Sequence, residues 1–367
     1  MRARSSLTLS DMAGTIRRTF VKQGLAGAAL FTGSAEQAIS QAAAPVPSLP
    51  KLLPKLLPKS LKPGDTAGLI TPSSYVSDPD ELAFAKRFCE FFQLKWKMAP
   101  NVGKRYGYLA GTAQQRVDDL HAMFTDPGVQ GVFCIRGGYG SAQMLDKLDY
   151  SLIRSNPKIF LGYSDITALH VAIGQRTGLV TFHGPVSLSH LTEWSQQHLR
   201  AALFTNAPIG SVTNPPEANP LRAGHSMRTV RGGKARGALA GGNLTLLSTT
   251  LGTPYGIETA GKILVMEDIG EDIYRIDRML TQLRLAGKLQ AAAGILVGEC
   301  KDCPPPGHDS AYSMGEVVDY LLGDLNIPVL YGMSFGHTID QVTLPLGLIA
   351  TLDADKQTLT IEQSATE

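Results

Sequence analysis

Between residues 66 and 184, short apolar runs alternate with stretches whose apolar residues recur every three or four positions. No other feature limits the fold as much. "TAGLIT", "VQGVFCI", "KIFLGY" and "LVTFHG" read as buried strands, whereas residues 80–92, a segment from about Gln114, "SAQMLDKL" and "ITALHVAI" read as helices. This rhythm predicts an α/β unit with a mostly parallel sheet. Ligands of such sheets collect beyond the C-terminal ends of the strands. Two stretches fall there: "RGGYGS" after the strand ending near Ile135, and "SDIT" after the strand ending near Tyr163.

Residues 190–235 are rich in Pro, Gly, Asn and Arg with little periodicity, which places a domain boundary there. Beyond it, "GNLTLLSTTLG" reads as a helix closed by glycine, "KILVMED" as a strand, "DIYRIDRMLTQLRLAG" as an amphipathic helix and "AAGILVG" as a strand. The tail "TLPLGLIATLDADKQTLTIEQ" alternates like an antiparallel pair turning at Asp353 to Lys356. The second unit is therefore mixed α/β. With 367 residues, 43% of them hydrophobic, the chain is long enough for two cores.

The N-terminus is set aside as a targeting segment. Ile16-Arg17-Arg18-Thr19-Phe20-Val21-Lys22 has the paired arginines of a twin-arginine signal, followed by "GLAGAALFTG", too short to span a bilayer, and small residues at 42–44. The expected division is a signal peptide over residues 1–44, a proline-rich linker or arm over 45–60, a first domain over 61–190, a connecting loop over 191–235 and a second domain over 236–362. Export to the periplasm is expected, with the cytoplasm as the location if the signal does not function. A formal net charge of +2, with acids and bases mixed along the chain, gives no reason to expect a nucleic-acid or membrane-surface partner. Of the four cysteines only Cys300 and Cys303 stand close, too few with His308 for a zinc site; they are expected to be a plain loop pair, with a local disulfide as the alternative in an oxidising compartment.

"FLGYSDITALH" runs from strand to helix with no room for a loop, so Ser164 stands on a sharp corner above the sheet edge. That is where a serine nucleophile is held, although an N-capping serine would look the same. A serine hydroxyl needs a base, and the base a carboxylate. Glu267 and Asp268 end "KILVMED", and His337 lies in a loop with Gly336 before it. His170 and His183 compete for the base; the first would sit inside the helix after the serine, and the second ends a strand, where it could support the site from behind. In Arg136-Gly137-Gly138-Tyr139-Gly140, consecutive glycines let backbone N–H groups turn inward on a carbonyl oxyanion. The spacing is wrong for a phosphate loop or a dinucleotide fingerprint.

Together with "GYLAGTAQQRVDDLHAMFTDPGVQGVFCIRGGYGS", "FHGP", "GGNLTLLSTTLGTPY" and "FGHTIDQVTLPLG", these stretches resemble the serine LD-carboxypeptidases, the murein tetrapeptide carboxypeptidase family, over about residues 61–362. The resemblance implies a flavodoxin-like N-terminal domain carrying Ser164 and a C-terminal α/β domain carrying Glu267, chosen over Asp268, and His337. It implies an oxyanion hole from the N–H groups of Asp165 and of Gly137 or Gly138, no metal or other cofactor, and a homodimer. The implied reaction removes terminal D-alanine from the L-centre of meso-diaminopimelate in a muropeptide. Arg136, beside the glycine pair, is the candidate for reading the substrate's free carboxylate. Relatives that recycle murein are often cytoplasmic, so an export signal would shift the substrate toward wall peptides. A microcin-immunity peptidase acting on a peptidyl nucleotide and a non-catalytic muropeptide-binding protein are the alternatives.

Overall fold

In the computed structural model, residues 53–216, 226–303 and 312–367 are described. The export signal expected over residues 1–44 lies outside them. The apolar runs of the first half become β1 (Thr66–Ile70), β2 (Lys95–Met98), β3 (Gly131–Cys134), β4 (Ile159–Gly162) and β5 (Thr181–His183). The second half supplies β6 (Gly210–Val212), β7 (Arg228–Arg231), β8 (Lys234–Asn243), β9 (Ile263–Ile269), β10 (Gly294–Lys301), β11 (Val329–Met333), β12 (Leu344–Leu346), β13 (Ile349–Asp353) and β14 (Thr358–Ile361).

The first sheet has the order β12-β5-β4-β3-β1-β2. Its five strands β1 to β5 are mutually parallel, and the 2-1-3-4-5 sequence is the flavodoxin-like one, with the reversal of order between β1 and β3. β12 adds antiparallel to β5, so a strand from near the C-terminus completes the sheet that carries Ser164. The second sheet runs β6-β14-β13-β8-β9-β10-β11-β7, with a parallel centre from β8 to β11 and antiparallel flanks.

Both faces of the first sheet are covered, which is why its strands read as unbroken apolar runs. Val132, Cys134 and Phe160 face Leu120, Phe124 and Leu169 of the helices Ala113–Thr125 and Thr167–Thr177. Phe133, Leu161 and Phe182 belong to the opposite cluster, which also takes in Leu239, Val265 and Leu296 of the second sheet. The two sheets thus share a core. Among the described residues, no helix is long and apolar enough to cross a membrane.

Several expectations need correction. Residues 190–235 contain the helix Glu193–Leu203 as well as β6 and β7. Its apolar face is narrow, made by Ser195, Leu199, Ala202 and Leu203, and its start depends on the Thr192 side chain accepting from the Ser195 N–H. "SAQMLDKL" forms only a 3-10 turn at Ser141–Met144, and the next helix, Tyr150–Ser155, starts soon after it with the Asp149 side chain accepting from the Ser151 and Leu152 N–H groups. Cys300 and Cys303 are joined in a disulfide rather than forming a plain loop pair. Asp302, at φ 53°, turns the chain back so that the two Cα atoms lie 5.7 Å apart, within bridging range. The proline-rich arm docks: Leu56 exchanges backbone hydrogen bonds with Gly178 and Val180.

Candidate active site

Tyr163 leaves β4 extended, and Ser164 then takes φ 67° before the chain enters a 3-10 turn and the helix Thr167–Thr177. A non-glycine residue in the left-handed region costs of order 1–3 kcal/mol and persists only where its surroundings dictate it. The Ser164 side chain caps no helix amide. Its Oγ lies 3.0 Å from His337 Nε2 instead.

His337 sits in the loop between β11 and β12, and its Nδ1 is 2.8 Å from Glu267 Oε2. The His337 backbone N–H donates to the same oxygen at 3.3 Å. With Nδ1–H donating to a carboxylate, Nε2 presents its lone pair to the Ser164 hydroxyl, the arrangement that lets an imidazole accept a serine proton. The Glu267 side chain is fully buried and that of His337 is 12% exposed. Gly336, at φ +82°, allows this approach; a Cβ there would lie 2.3 Å from the Glu267 carboxylate.

The structure also separates the two acids at the end of β9. Asp268 accepts from Asn243 Nδ2, from the N–H and hydroxyl of Thr245 and from the Ile269 N–H, all at 2.9–3.0 Å. It is occupied in holding the helix Leu244–Thr249 to β9, and burial raises its pKa above the usual carboxylate range. Successive strand residues point to opposite faces, so only Glu267 reaches the histidine.

Gly137 lies against the serine: a Cβ built on it would meet Ser164 Cβ at 3.0 Å and Oγ at 3.3 Å. Gly138 has φ +114°. The loop after β1 braces this one: Ser74 N–H donates to Gly137 O and Tyr139 N–H to Ser74 Oγ. Asp165 is anchored through its side chain. Its buried carboxylate accepts from Ser73 Oγ at 2.6 Å and from Ser141 N–H at 2.8 Å, tying together the loops after β1, β3 and β4. Arg116, 1% exposed, reinforces them by donating to Pro72 O and Gly140 O, each at 2.7 Å. Sequence reading overlooked Ser73, Ser141 and Arg116; the only signal was "TPSS" at a strand end, and nothing marked an arginine on a helix as buried. Arg136 is half-buried beside Gly137 and forms no ion pair among the described residues.

Models of the LD-carboxypeptidase N-terminal and C-terminal domains match residues 67–184 and 236–352. A probable murein peptide carboxypeptidase of Bacillus subtilis is 42% identical over 309 residues, covering 84% of this chain and 95% of the relative. The chain belongs to the LD-carboxypeptidase family. It is a serine-type peptidase of that family. The murein tetrapeptide carboxypeptidase of Pseudomonas aeruginosa is 33% identical over 296 residues, 78% of this chain and 93% of that one. A solved structure of the microcin C7 self-immunity protein in complex with aspartyl sulfamoyl adenosine superposes with a TM-score of 0.78 at 28% identity, over 85% of this chain and all of that one.

In this LD-carboxypeptidase, His170 and His183 lie behind the site. His170 Nε2–H donates to Gly162 O at 2.8 Å from within the helix, and His183 ends β5 between Tyr163 and Phe335. Both are fully buried, and desolvation pushes each pKa down to about 3. The folded protein holds them neutral while the unfolded chain protonates near pH 6.5, so stability falls as pH drops from 6.5 toward 3. Each histidine is expected to cost about 2 kcal/mol at pH 5 relative to pH 7. Urea unfolding at the two pH values measures this; His170→Gln should reduce the difference by about 2 kcal/mol, and an unchanged difference would refute the assignment.

Proposed function

We propose that this protein is an LD-carboxypeptidase that hydrolyses the bond between the L-centre of meso-diaminopimelate and terminal D-alanine in murein tetrapeptides. The observation that carries the reading is the hydrogen-bonded chain from Ser164 Oγ through His337 to Glu267, at 3.0 and 2.8 Å, in a chain similar to murein carboxypeptidases. Ser164 Oγ attacks the diaminopimelate carbonyl carbon as His337 Nε2 takes its proton. The N–H groups of Asp165 and of Gly137 or Gly138 hold the oxyanion. Collapse breaks the C–N bond, and the D-alanine nitrogen leaves with the proton from His337. Water, deprotonated by the same imidazole, then attacks the acyl-serine ester and restores Ser164. Glu267 keeps the imidazole in the required tautomer and stabilises the imidazolium.

Incubating the purified protein with disaccharide tetrapeptide should yield D-alanine and tripeptide in equal amounts. No D-alanine release, with cleavage of an aminoacyl sulfamoyl adenosine instead, would replace this reading by the nucleotide-peptide one that the microcin-immunity likeness favours. We propose export as well: the Cys300–Cys303 disulfide fits an oxidising compartment, and the substrate there would be wall peptide.

A carboxypeptidase must hold the free carboxylate of its substrate, and we assign that role to Arg136 because it directly precedes the glycine pair. Charge-assisted hydrogen bonds of this type contribute about 1.5–3 kcal/mol. Arg136→Ala should therefore raise KM for the tetrapeptide by roughly 10- to 100-fold with a smaller change in kcat. An unchanged KM would remove Arg136 from the site.

A further inference from the structure

Around the serine corner, three tyrosine side chains that the hydrolysis does not use stand bare to water. Tyr139, next to Gly138, is 56% exposed, and Tyr106 and Tyr108 are 64% and 63% exposed. Tyr106 and Tyr108 lie in the turn between β2 and the helix Ala113–Thr125. This turn is closed from both ends, Tyr106 N–H donating to Leu109 O at 2.9 Å and Leu109 N–H to Tyr106 O at 3.0 Å. It is also fixed to the loops around the serine: Ala110 N–H donates to Ser73 O at 3.0 Å, and Ser74 bridges Leu109 on one side and Tyr139 on the other. The rings of Tyr108 and Tyr139 meet edge to face, with centroids 5.6 Å apart and planes at 66°. Close by, the Arg105 guanidinium lies 4.4 Å over the Tyr75 ring.

Exposed aromatic surface gathered on braced loops at the mouth of a site marks a place where something binds. We propose that Tyr108 and Tyr139 form a subsite for a pyranose ring, the glycan to which the peptide stem is attached. This deepens the murein reading and rests on it. A sugar fits better than a flat base. Two rings at 66° make a corner rather than a parallel slot, and a puckered ring can lay its C–H face on one tyrosine while its hydroxyls reach the phenol groups at the edge. Because the loops are already held in place, little ordering accompanies binding.

The test measures binding to the Ser164→Ala protein by calorimetry, with three probes: the N-acetylglucosaminyl-N-acetylmuramic acid disaccharide alone, the tetrapeptide with that disaccharide, and the sugar-free tetrapeptide. The glycan-bearing peptide is expected to bind about tenfold more tightly than the sugar-free one. Adding Tyr108→Ala and Tyr139→Ala should abolish both that advantage and disaccharide binding, while a melting temperature matching that of the parent shows that the variant folds. Equal affinity of the two peptides for the parent protein overturns the proposal, as does an advantage that survives in the variant. So does a variant that keeps disaccharide binding. Disaccharide binding is read without the peptide, so a subsite without sugar affinity fails even where tetrapeptide is hydrolysed. Conversely, a protein that releases no D-alanine refutes the hydrolysis reading and leaves the sugar result standing.

Discussion

Ser164→Ala is expected to lower kcat for D-alanine release by at least about 10⁴-fold while leaving the protein folded. Removing Oγ deletes the nucleophile and one end of the hydrogen-bonded chain that runs through His337 to Glu267. The residual rate would come from the oxyanion donors and from substrate positioning, which act without the serine. Stability gives an independent reading of the same residue. At φ 67° an alanine is as strained as a serine, so Ser164→Ala should unfold close to the wild type, whereas Ser164→Gly relieves the strain. The glycine variant should be about 1 kcal/mol more stable than the alanine variant and equally inactive. A serine kept only to cap the following helix would behave differently: its loss would destabilise the protein and leave the rate intact. Product release followed by chromatography, together with urea unfolding of the three proteins, separates the two roles. Comparable kcat for wild type and Ser164→Ala would sink the nucleophile.

The parallel sheet was legible because its strands are buried on both faces and its helices carry the complementary period, so hydrophobicity alone reports them. Ser164 was legible for a related reason: a strand that runs straight into a helix leaves its corner residue few conformations. The choice between Glu267 and Asp268 was not. Adjacent strand residues point to opposite faces, and deciding which face meets His337 needs the position of a loop about 70 residues away. Arg116 and Asp165 were hidden for a different reason. Their partners are the loop atoms Pro72 O, Gly140 O, Ser73 Oγ and Ser141 N, distant in sequence, and buried polar networks have no periodicity to betray them. The helix Glu193–Leu203 escaped because its buried face includes a serine and an alanine, which carry little hydrophobic signal.

Glu267→Gln should slow turnover by roughly 10²- to 10³-fold, and Glu267→Ala by roughly 10⁴-fold, for a reason specific to this geometry. Two donors, the His337 ring Nδ1–H and the His337 backbone N–H, converge on Oε2. A glutamine therefore settles with its carbonyl oxygen at that position, which preserves the tautomer and the direction of the imidazole. What it loses is the negative charge that stabilises the imidazolium as the proton leaves Ser164. It also leaves its amide nitrogen where Oε1 is buried without a partner, so a drop in stability of about 1–3 kcal/mol should accompany the loss of rate. Alanine removes both the charge and the alignment. Gly336→Ala should approach the rate of Glu267→Ala without replacing any of the three catalytic residues, because its Cβ would fall 2.3 Å from the carboxylate and at a φ of +82° the backbone cannot yield cheaply. The comparison is made on kcat across pH. If Glu267→Gln proves as slow as Glu267→Ala, the tautomer has been lost and the backbone N–H does not set the orientation of the side chain; if Gly336→Ala turns over like the wild type, the close packing of that glycine against Glu267 has no part in holding the base.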